Sequence, residues 1–539
     1  MQPALYYFVI PAIAYLLVAV PLRLWKRRHA IRKIRGPPCP SLLLGHEYLL
    51  RSRQHVGDLE MEWYRQYGAV YRTGGCFGQG ILYVADPKAL QHVFLSPYRF
   101  PKTRDLRRML DAFTGQGIGT VEGSVHQRQR RVLGPAFAAS QLRLFLNVFQ
   151  TSALKFIEKT NEYVGEGKEV NVLQWTSKIT LDIIGITSFR YKFNSLDDGQ
   201  TELMAALNNV LGDSLMWPTQ GQLLFMALWR ILPEWVLLLL ERLPSRAAMR
   251  LKQYKDVAKK VSRAIFEKQL NEVANDPNPS EKDIVNVLAM SHLSNDAKKK
   301  MSDPEIDSQL ASFIVAGNDT TASVIAWLLY DLSRHPEVQT KVREEIAIAK
   351  FKAPGVLTWD DYDAMAWLNA VIKEVLRYHP LAFVLFREAS RDDVLPLAEP
   401  IITSDGQLCS AIPISKGQVI GASVYTYNRL PSVWGDDAAE WNPCRFLEDR
   451  GIKQESLRTY ANLMTFGAGI RGCIGWRFAV MEVQSVVTEL LNNFSFSIPK
   501  GAPELQYGPA GDGLIPLVPG KVNEGPQIPL LVTPLNKQV

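Results

Sequence analysis

Cysteine is scarce in this chain. The five in 539 residues, Cys39, Cys76, Cys409, Cys444 and Cys473, are odd in number and widely scattered. That excludes a disulfide framework and fits a reducing compartment. No Gly/Ser-rich linker, low-complexity tract or internal repeat divides the chain. The length would allow three or four domains, yet one large, mostly helical domain behind a short N-terminal segment is the simpler expectation. Acidic residues are missing from residues 1–35, which hold seven of the 61 basic ones: Arg23, Lys26, Arg27, Arg28, Arg32, Lys33 and Arg35. The remaining 54 basic residues balance 54 acidic ones, so the net charge of +7 belongs to this segment. A formally neutral main domain argues against a nucleic-acid partner.

Ahead of the basic cluster, Ala4 to Leu22 is a run of nineteen uncharged residues, about enough to cross a bilayer's hydrocarbon core. A cleaved signal peptide would carry positive charge before its apolar run, not after it. The order favours an uncleaved anchor, and the positive-inside rule then places everything beyond Arg23 in the cytosol. Pro11 and Pro21 weaken such a helix, but membrane helices tolerate proline. Gly36-Pro37-Pro38-Cys39-Pro40 reads as a stiff, extended spacer between anchor and globule.

The most informative stretch is Phe466-Gly467-Ala468-Gly469-Ile470-Arg471-Gly472-Cys473-Ile474-Gly475, a glycine-rich turn before a helical segment. Free N–H groups of the turn and the positive helix end are expected to lower the thiol pKa and suit it to iron. The glycines let the backbone pass close to a flat cofactor, and Arg471 suits a carboxylate on it. One cysteine is too few for a zinc cage or an iron–sulfur cluster. A lone cysteine is more often a buried thiol than a ligand. Here, though, the segment matches Phe-x-x-Gly-x-Arg-x-Cys-x-Gly at every fixed place, and it resembles the haem-thiolate monooxygenases, the cytochromes P450. The resemblance implies haem b, with Cys473 as the axial thiolate on iron. It also puts Phe466, Gly467, Arg471 and Gly475 around the cofactor.

From about Glu305 to Arg334, apolar residues recur at helical spacing over a length that suggests a helix crossing the core. Ala316-Gly317-Asn318-Asp319-Thr320-Thr321 interrupts it with poor helix formers. Thr320 is placed to bond back to the Ala316 carbonyl and loosen the ladder, and Gly317 to leave room for a diatomic ligand. Read alone, the patch is equally a chance polar step in a core helix. Beside the cysteine motif it resembles the family's Ala/Gly-Gly-x-Asp/Glu-Thr signature. That implies Ala316 next to the haem and Asp319 and Thr320 as the acid–alcohol pair that supplies protons to oxygen.

Lys373-Glu374-Val375-Leu376-Arg377 places Glu374 and Arg377 on one helical face, and Pro380 ends the helix. With Pro443-Cys444-Arg445-Phe446, this resembles the family's Glu-x-x-Arg and Pro-x-Arg-Phe motifs, implying a buried Glu374–Arg377–Arg445 network. Cys444 stands where the family usually has an acid, so no role is assigned to that acid. By the same resemblance Arg387 and Arg130 hold the haem propionates. His126 replaces the usual tryptophan of that helix and is weighed between a propionate contact and a solvated histidine.

The resemblance spans roughly residues 36–535, and the wording around its motifs is similar to fungal microsomal members. It implies a mainly α fold with small β-sheets behind an N-terminal transmembrane helix. Residues 1–35 would be anchor and basic stop segment, and residues 36–539 the monooxygenase domain. Three apolar stretches are expected over the haem: Phe313 with Ala316, then Leu381-Ala382-Phe383-Val384, then Leu514-Ile515. Leu223 to Leu240, broken by Arg230, Pro233 and Glu234, reads as an amphipathic helix pair near the membrane. No Gly-x-Gly-x-x-Gly opens a nucleotide-binding unit. Electrons would therefore come from a separate NADPH-dependent flavoprotein reductase at the endoplasmic reticulum membrane, docking near Arg128, Arg131 and Arg477. The expected reaction inserts one oxygen atom of O₂ into a large apolar substrate, terpenoid or sterol-like. A haem-thiolate isomerase or lyase that does not use O₂, and a non-enzymatic haem sensor, are the rivals. Asp319-Thr320 argues against the first.

Overall fold

The computed structural model describes residues 31–535 except Pro97, 165–166, 199–201, Met204, 206–215, 241–245, 276–281, 449–456 and Arg458. The expected membrane span lies outside the described residues. In chain order the helices that shape the site are α1 (Glu47–Ser52), α2 (Arg104–Thr114), α3 (Gly123–Leu133), α4 (Ala139–Val164) and α5 (Val172–Phe189). They are followed by α6 (Gln220–Ile231), α7 (Glu234–Leu240), α8 (Asp303–Arg334), α9 (Ala366–Tyr378) and α10 (Trp476–Asn493).

Helix α8 is the axis of the molecule. Ser302 and Glu305 close a capping box at its start, Pro304 occupies its first turn, and it stops at His335, directly before Pro336. It buries Leu310, Ile314, Ile325, Trp327 and Leu328 among α5, α9 and α10. Among the described residues it is the one helix long and apolar enough to span a membrane, and its burial marks it as a core helix.

The sheets are small and lie to one side. Strands β1 (Val70–Gly74) and β2 (Gly80–Val84) form a hairpin within a four-stranded sheet ordered β1-β2-β7-β4, where β4 is Val384–Glu388 and β7 is Val419–Ser423. Strand β3 (Lys168–Asn171) joins β11 (Pro529–Pro534) and β8 (Phe494–Ser497), and β5 (Asp393–Ile402) pairs with β6 (Leu408–Ile414). A last hairpin, β9 (Gln506–Ala510) and β10 (Gly513–Leu517), turns through Gly511, whose φ of +60° suits glycine. The mainly helical expectation with small sheets describes this architecture.

The 31–40 segment departs from the expected free spacer. Ile31 and Ile34 are buried, and the Arg35 carbonyl accepts the Arg72 N–H of β1 at 3.0 Å. A Cβ on Gly36 would lie 2.0 Å from the Arg72 carbonyl oxygen, so only glycine allows this docking. Residues ahead of Gly36, Ile31 and Ile34 among them, therefore belong to the globular body. Leu223 to Leu240 folds as the expected helix pair, α6 and α7, parted at Leu232-Pro233 with Phe225 and Trp235 exposed.

Candidate active site

The cysteine loop is a tight backbone cradle. The Cys473 N–H donates to the Phe466 carbonyl at 2.8 Å, and Gly472 N–H to Gly469 at 3.0 Å. Gly467 and Gly469 have φ of +65° and +64°, and a Cβ on Gly469 would strike the Phe94 carbonyl oxygen at 2.2 Å. Gly475 faces Phe137, which in turn packs on Phe313 of α8 with ring centroids 5.6 Å apart. Cys473 is solvent-accessible although protein encloses it on every side, so its sulfur opens onto an interior cleft. That enclosure overturns the expected acidification. Burial raises the thiol pKa, while the Gly475 N–H and the Arg130 charge pull less strongly the other way. A metal replacing the proton would reverse this balance, since a coordinating thiol is deprotonated outright.

On α8, Ala316 and Thr320 are the exposed positions among buried and half-buried neighbours. Thr320 Oγ1 donates to the Ala316 carbonyl at 2.6 Å, and the neighbouring Ser323 repeats the pattern on Asp319 at 2.8 Å. These back-bonds loosen the helix at the step. Gly317 does not face this side: a Cβ there would meet Ile184 of α5 at 2.8 Å, so the glycine admits the neighbouring helix. Asn318 is fully buried and accepts from Thr180 Oγ1 at 2.7 Å, which fixes the rotation of α8. Asp319 is enclosed, its Oδ2 has no partner among the described residues, and burial pushes its carboxyl pKa up to about 7.

Four cations meet at the edge of the cleft: Lys102, Arg130, Arg387 and Arg471. Arg130 Nη1 donates to the Gly472 carbonyl at 2.9 Å, and Arg387 Nη1 to its neighbour Phe386 at 2.8 Å. Arg471 donates to the Val121 carbonyl at 2.7 Å and pairs with Glu122. Burial, then mutual repulsion, lowers the Lys102 pKa to about 7; burial lowers Arg387 to about 10. Charges in this state call for further anionic partners. His126 is buried rather than solvated, its Nδ1 lies 2.8 Å from the Tyr98 hydroxyl, and burial with the adjacent cations lowers its pKa to about 3. Lys102 and Glu122 were not singled out from sequence; Lys102 follows Pro101 in a loop that matches no pattern.

Beneath the loop, Glu374 is wholly buried and accepts from Arg377 Nε at 2.7 Å, Arg377 Nη2 at 2.8 Å and Arg445 Nε at 3.2 Å. Arg377 Nη1 also donates to the carbonyls of Asn428 and Ala438, at 2.7 and 2.6 Å. Asp437 supplies the second carboxylate, 2.9 Å from Arg445 Nη1. Its spacing to Arg445 fits no motif, so sequence gave no sign of it. On α10 the buried Glu482 has a pKa raised well above the usual range by burial, with Thr321 of α8 opposing.

The two C-terminal apolar stretches are brought together by backbone bonds: Leu514 N–H donates to Leu381 at 2.7 Å and Phe383 N–H to Asp512 at 3.1 Å. Leu381, Ala382 and Ile515 are partly open. Phe383, Val384, Leu514 and Phe313 are instead core residues, with Phe383 under the Arg53 guanidinium at 5.6 Å. Leu385 is the side chain of β4 that reaches the haem-type loop, 4.0 Å from where a Gly467 Cβ would stand. Of the expected docking charges, Arg131 and Arg477 are exposed, whereas Arg128 is tied to Glu305 at 2.5 Å on the N-terminal turn of α8.

The donor set fits a haem. Close-approach glycines shape the cysteine loop, Phe137 bridges Gly475 to Phe313 of α8, and under-neutralised cations gather beside Cys473. Comparisons with known proteins agree with this class. The cytochrome P450 family profile matches residues 35–523. Cytochrome P450 monooxygenase claQ of Ampulloclitocybe clavipes is 30% identical over 515 residues, 94% of each chain. Cytochrome P450 monooxygenases 205 and 219 of Postia placenta are 29% and 31% identical over 519 and 525 residues, covering 93% or more of each chain. The chain belongs to the cytochrome P450 family and is a haem-thiolate monooxygenase, working with O₂, a redox partner and an organic substrate.

Proposed function

We propose that this enzyme is anchored in the endoplasmic reticulum membrane by its first residues, with the catalytic domain in the cytosol. It oxidises a large apolar terpenoid or sterol-like molecule with electrons from NADPH, passed through a separate flavoprotein reductase. Haem b, held by Cys473, supplies the oxygen chemistry. Arg130, Arg387, Arg471 and Lys102 take its two propionates, with His126 as a neutral donor beside them. Leu381, Ala382, Leu385 and Ile515 give the substrate methyl surface, where burial contributes roughly 25 cal/mol per Å². The observation that carries the reading is the exposed Ala316 and Thr320 of α8 with the enclosed Asp319 between them. A proton-delivery pair in an apolar cleft suits O₂ chemistry and has no use in an isomerase or a sensor.

Co-expression with a reductase and NADPH tests the proposal: an oxygenated product from a terpenoid or sterol panel is expected. Reductase-independent rearrangement would overturn it. In that assay Thr320→Ala should retain haem and substrate binding while product per NADPH falls by about tenfold or more and peroxide rises. The Asp319 carboxyl holds its proton below about pH 7 and loses it above. Product per NADPH should therefore fall as pH rises through 7, and Asp319→Asn should flatten that dependence. Deleting residues 1–22 should weaken membrane association while haem incorporation persists.

A further inference from the structure

Some distance from the cysteine, charged groups meet inside an apolar wall. The Phe383 N–H donates to the Asp512 carbonyl at 3.1 Å, which sets the β9–β10 turn beside the partly open Leu381 and Ala382. Asp512 lines a crevice with Phe386 of β4, closed by Leu106 and Met109 of α2 and by Leu223 and Met226 of α6. Thr103, which follows the cofactor-rim residue Lys102, lines the same crevice. The free volume is about 30 Å³, room for a hydroxyl or a water. Its floor is the Asp512 carboxylate at the turn of the β9–β10 hairpin, paired with Arg51 of α1 at 3.0 Å.

The two arginines here differ in what they have left to offer. Arg230 of α6 donates Nε to Asp105 at 2.7 Å and Nη1 to Glu47 and Gln79 at 2.7 and 3.0 Å, which clamps α6 onto α1 and α2. Arg51 donates only Nη2, to Asp512 Oδ1, among the described residues, and Oδ2 of Asp512 accepts from none. Both side chains keep about a fifth of their surface open, 20% and 22%. The pair thus presents an unused donor and an unused acceptor side by side. A hydroxyl needs both, whereas a carboxylate would compete with Asp512 for Arg51.

We infer that Arg51 and Asp512 form a polar anchor for a neutral hydroxyl carried by the substrate at the end remote from the oxidised carbon. This rests on the apolar-substrate reading above and narrows it: the enzyme acts on an already oxygenated terpenoid or sterol, so a reaction that installs an oxygen must precede it. Burial holds the Asp512 carboxyl pKa up, with Arg51 opposing, which strengthens any bond it accepts.

The test is spectral titration of the full-length haem protein with matched pairs, farnesene against farnesol and cholestane against cholestanol. In wild type the alcohol should bind on the order of tenfold tighter in at least one pair. Asp512→Asn and Arg51→Met, each checked for an intact reduced carbon-monoxide band, should close that gap and leave hydrocarbon affinity unchanged. Either variant suffices if the other does not take up haem. Equal affinity of hydrocarbon and alcohol in wild type, or a gap that persists in the variants, overturns the anchor but not the apolar-substrate reading. Binding by small carboxylates or amines alone, with neither pair perturbing the haem, overturns that reading and the anchor with it.

Discussion

Cys473→Ala is expected to abolish the strongly red-shifted band of the reduced carbon-monoxide complex and to bring product formation below detection. No other thiol is placed to substitute. Cys76 is buried against the Leu44 carbonyl, with its pKa pushed up to about 12 by burial first and Glu47 second. Cys39 is exposed on the docked N-terminal segment, Cys409 donates to the Ala411 carbonyl at 3.0 Å on strand β6, and Cys444 sits in the turn that carries Arg445. Only Cys473 combines access from the interior cleft with a helix N-terminus behind it and the Gly475 N–H beside it. Cys409→Ala, in contrast, should leave the band unchanged. A red-shifted band in Cys473→Ala would remove the thiolate assignment, and with it the reading of the whole loop.

The elements legible from sequence were those whose residues sit within one turn of structure. The cysteine loop, the polar step of α8 and the Glu374–Arg377 spacing each show their pattern within ten residues, and the structure gives each the backbone expected of it. Partners contributed from afar were not legible. Lys102 and Glu122 meet Arg387 and Arg471 across more than 250 residues. Asp437 lies close in sequence to Arg445, but in an irregular stretch whose turn no spacing rule fixes. Direction was also hidden. The run Leu381 to Val384 is apolar throughout, and only the pairing of β4 with β7 and of Ala382 with Gly513 turns Phe383 and Val384 inward. Gly317 shows the same limit, since a glycine in a helix reads alike whether it admits a ligand or, as here, a neighbouring helix. The thiol pKa went the other way because local N–H groups are visible in sequence, whereas enclosure by distant elements is not.

Glu374→Ala is expected to remove the folded holoprotein altogether. Glu374 is wholly buried, as is Arg377, and its two oxygens serve Arg377, Arg445 and the Asn442 N–H, the last at 2.6 Å. Removing the carboxylate leaves two arginines enclosed with Asp437 as their remaining acid. Breaking a buried pair from one side costs about 3–5 kcal/mol, a large share of the roughly 5–15 kcal/mol that holds a domain together. The loss propagates to the haem loop through the same residues: the Arg377 carbonyl accepts from Asn428 Nδ2 at 3.2 Å, and that amide also donates to Thr465, next to Phe466, at 3.0 Å. Glu374→Gln keeps an acceptor but not the charge and should give reduced, heat-labile haem content. Glu504→Ala is the control. Its ion pair with Arg334 is exposed, with side chains 72% and 45% open, so the change should cost no more than about 1 kcal/mol and leave haem content unchanged. Haem content per protein and the thermal midpoint of the carbon-monoxide band decide the matter. Wild-type values in Glu374→Ala would mean that the network is a bystander to the haem loop.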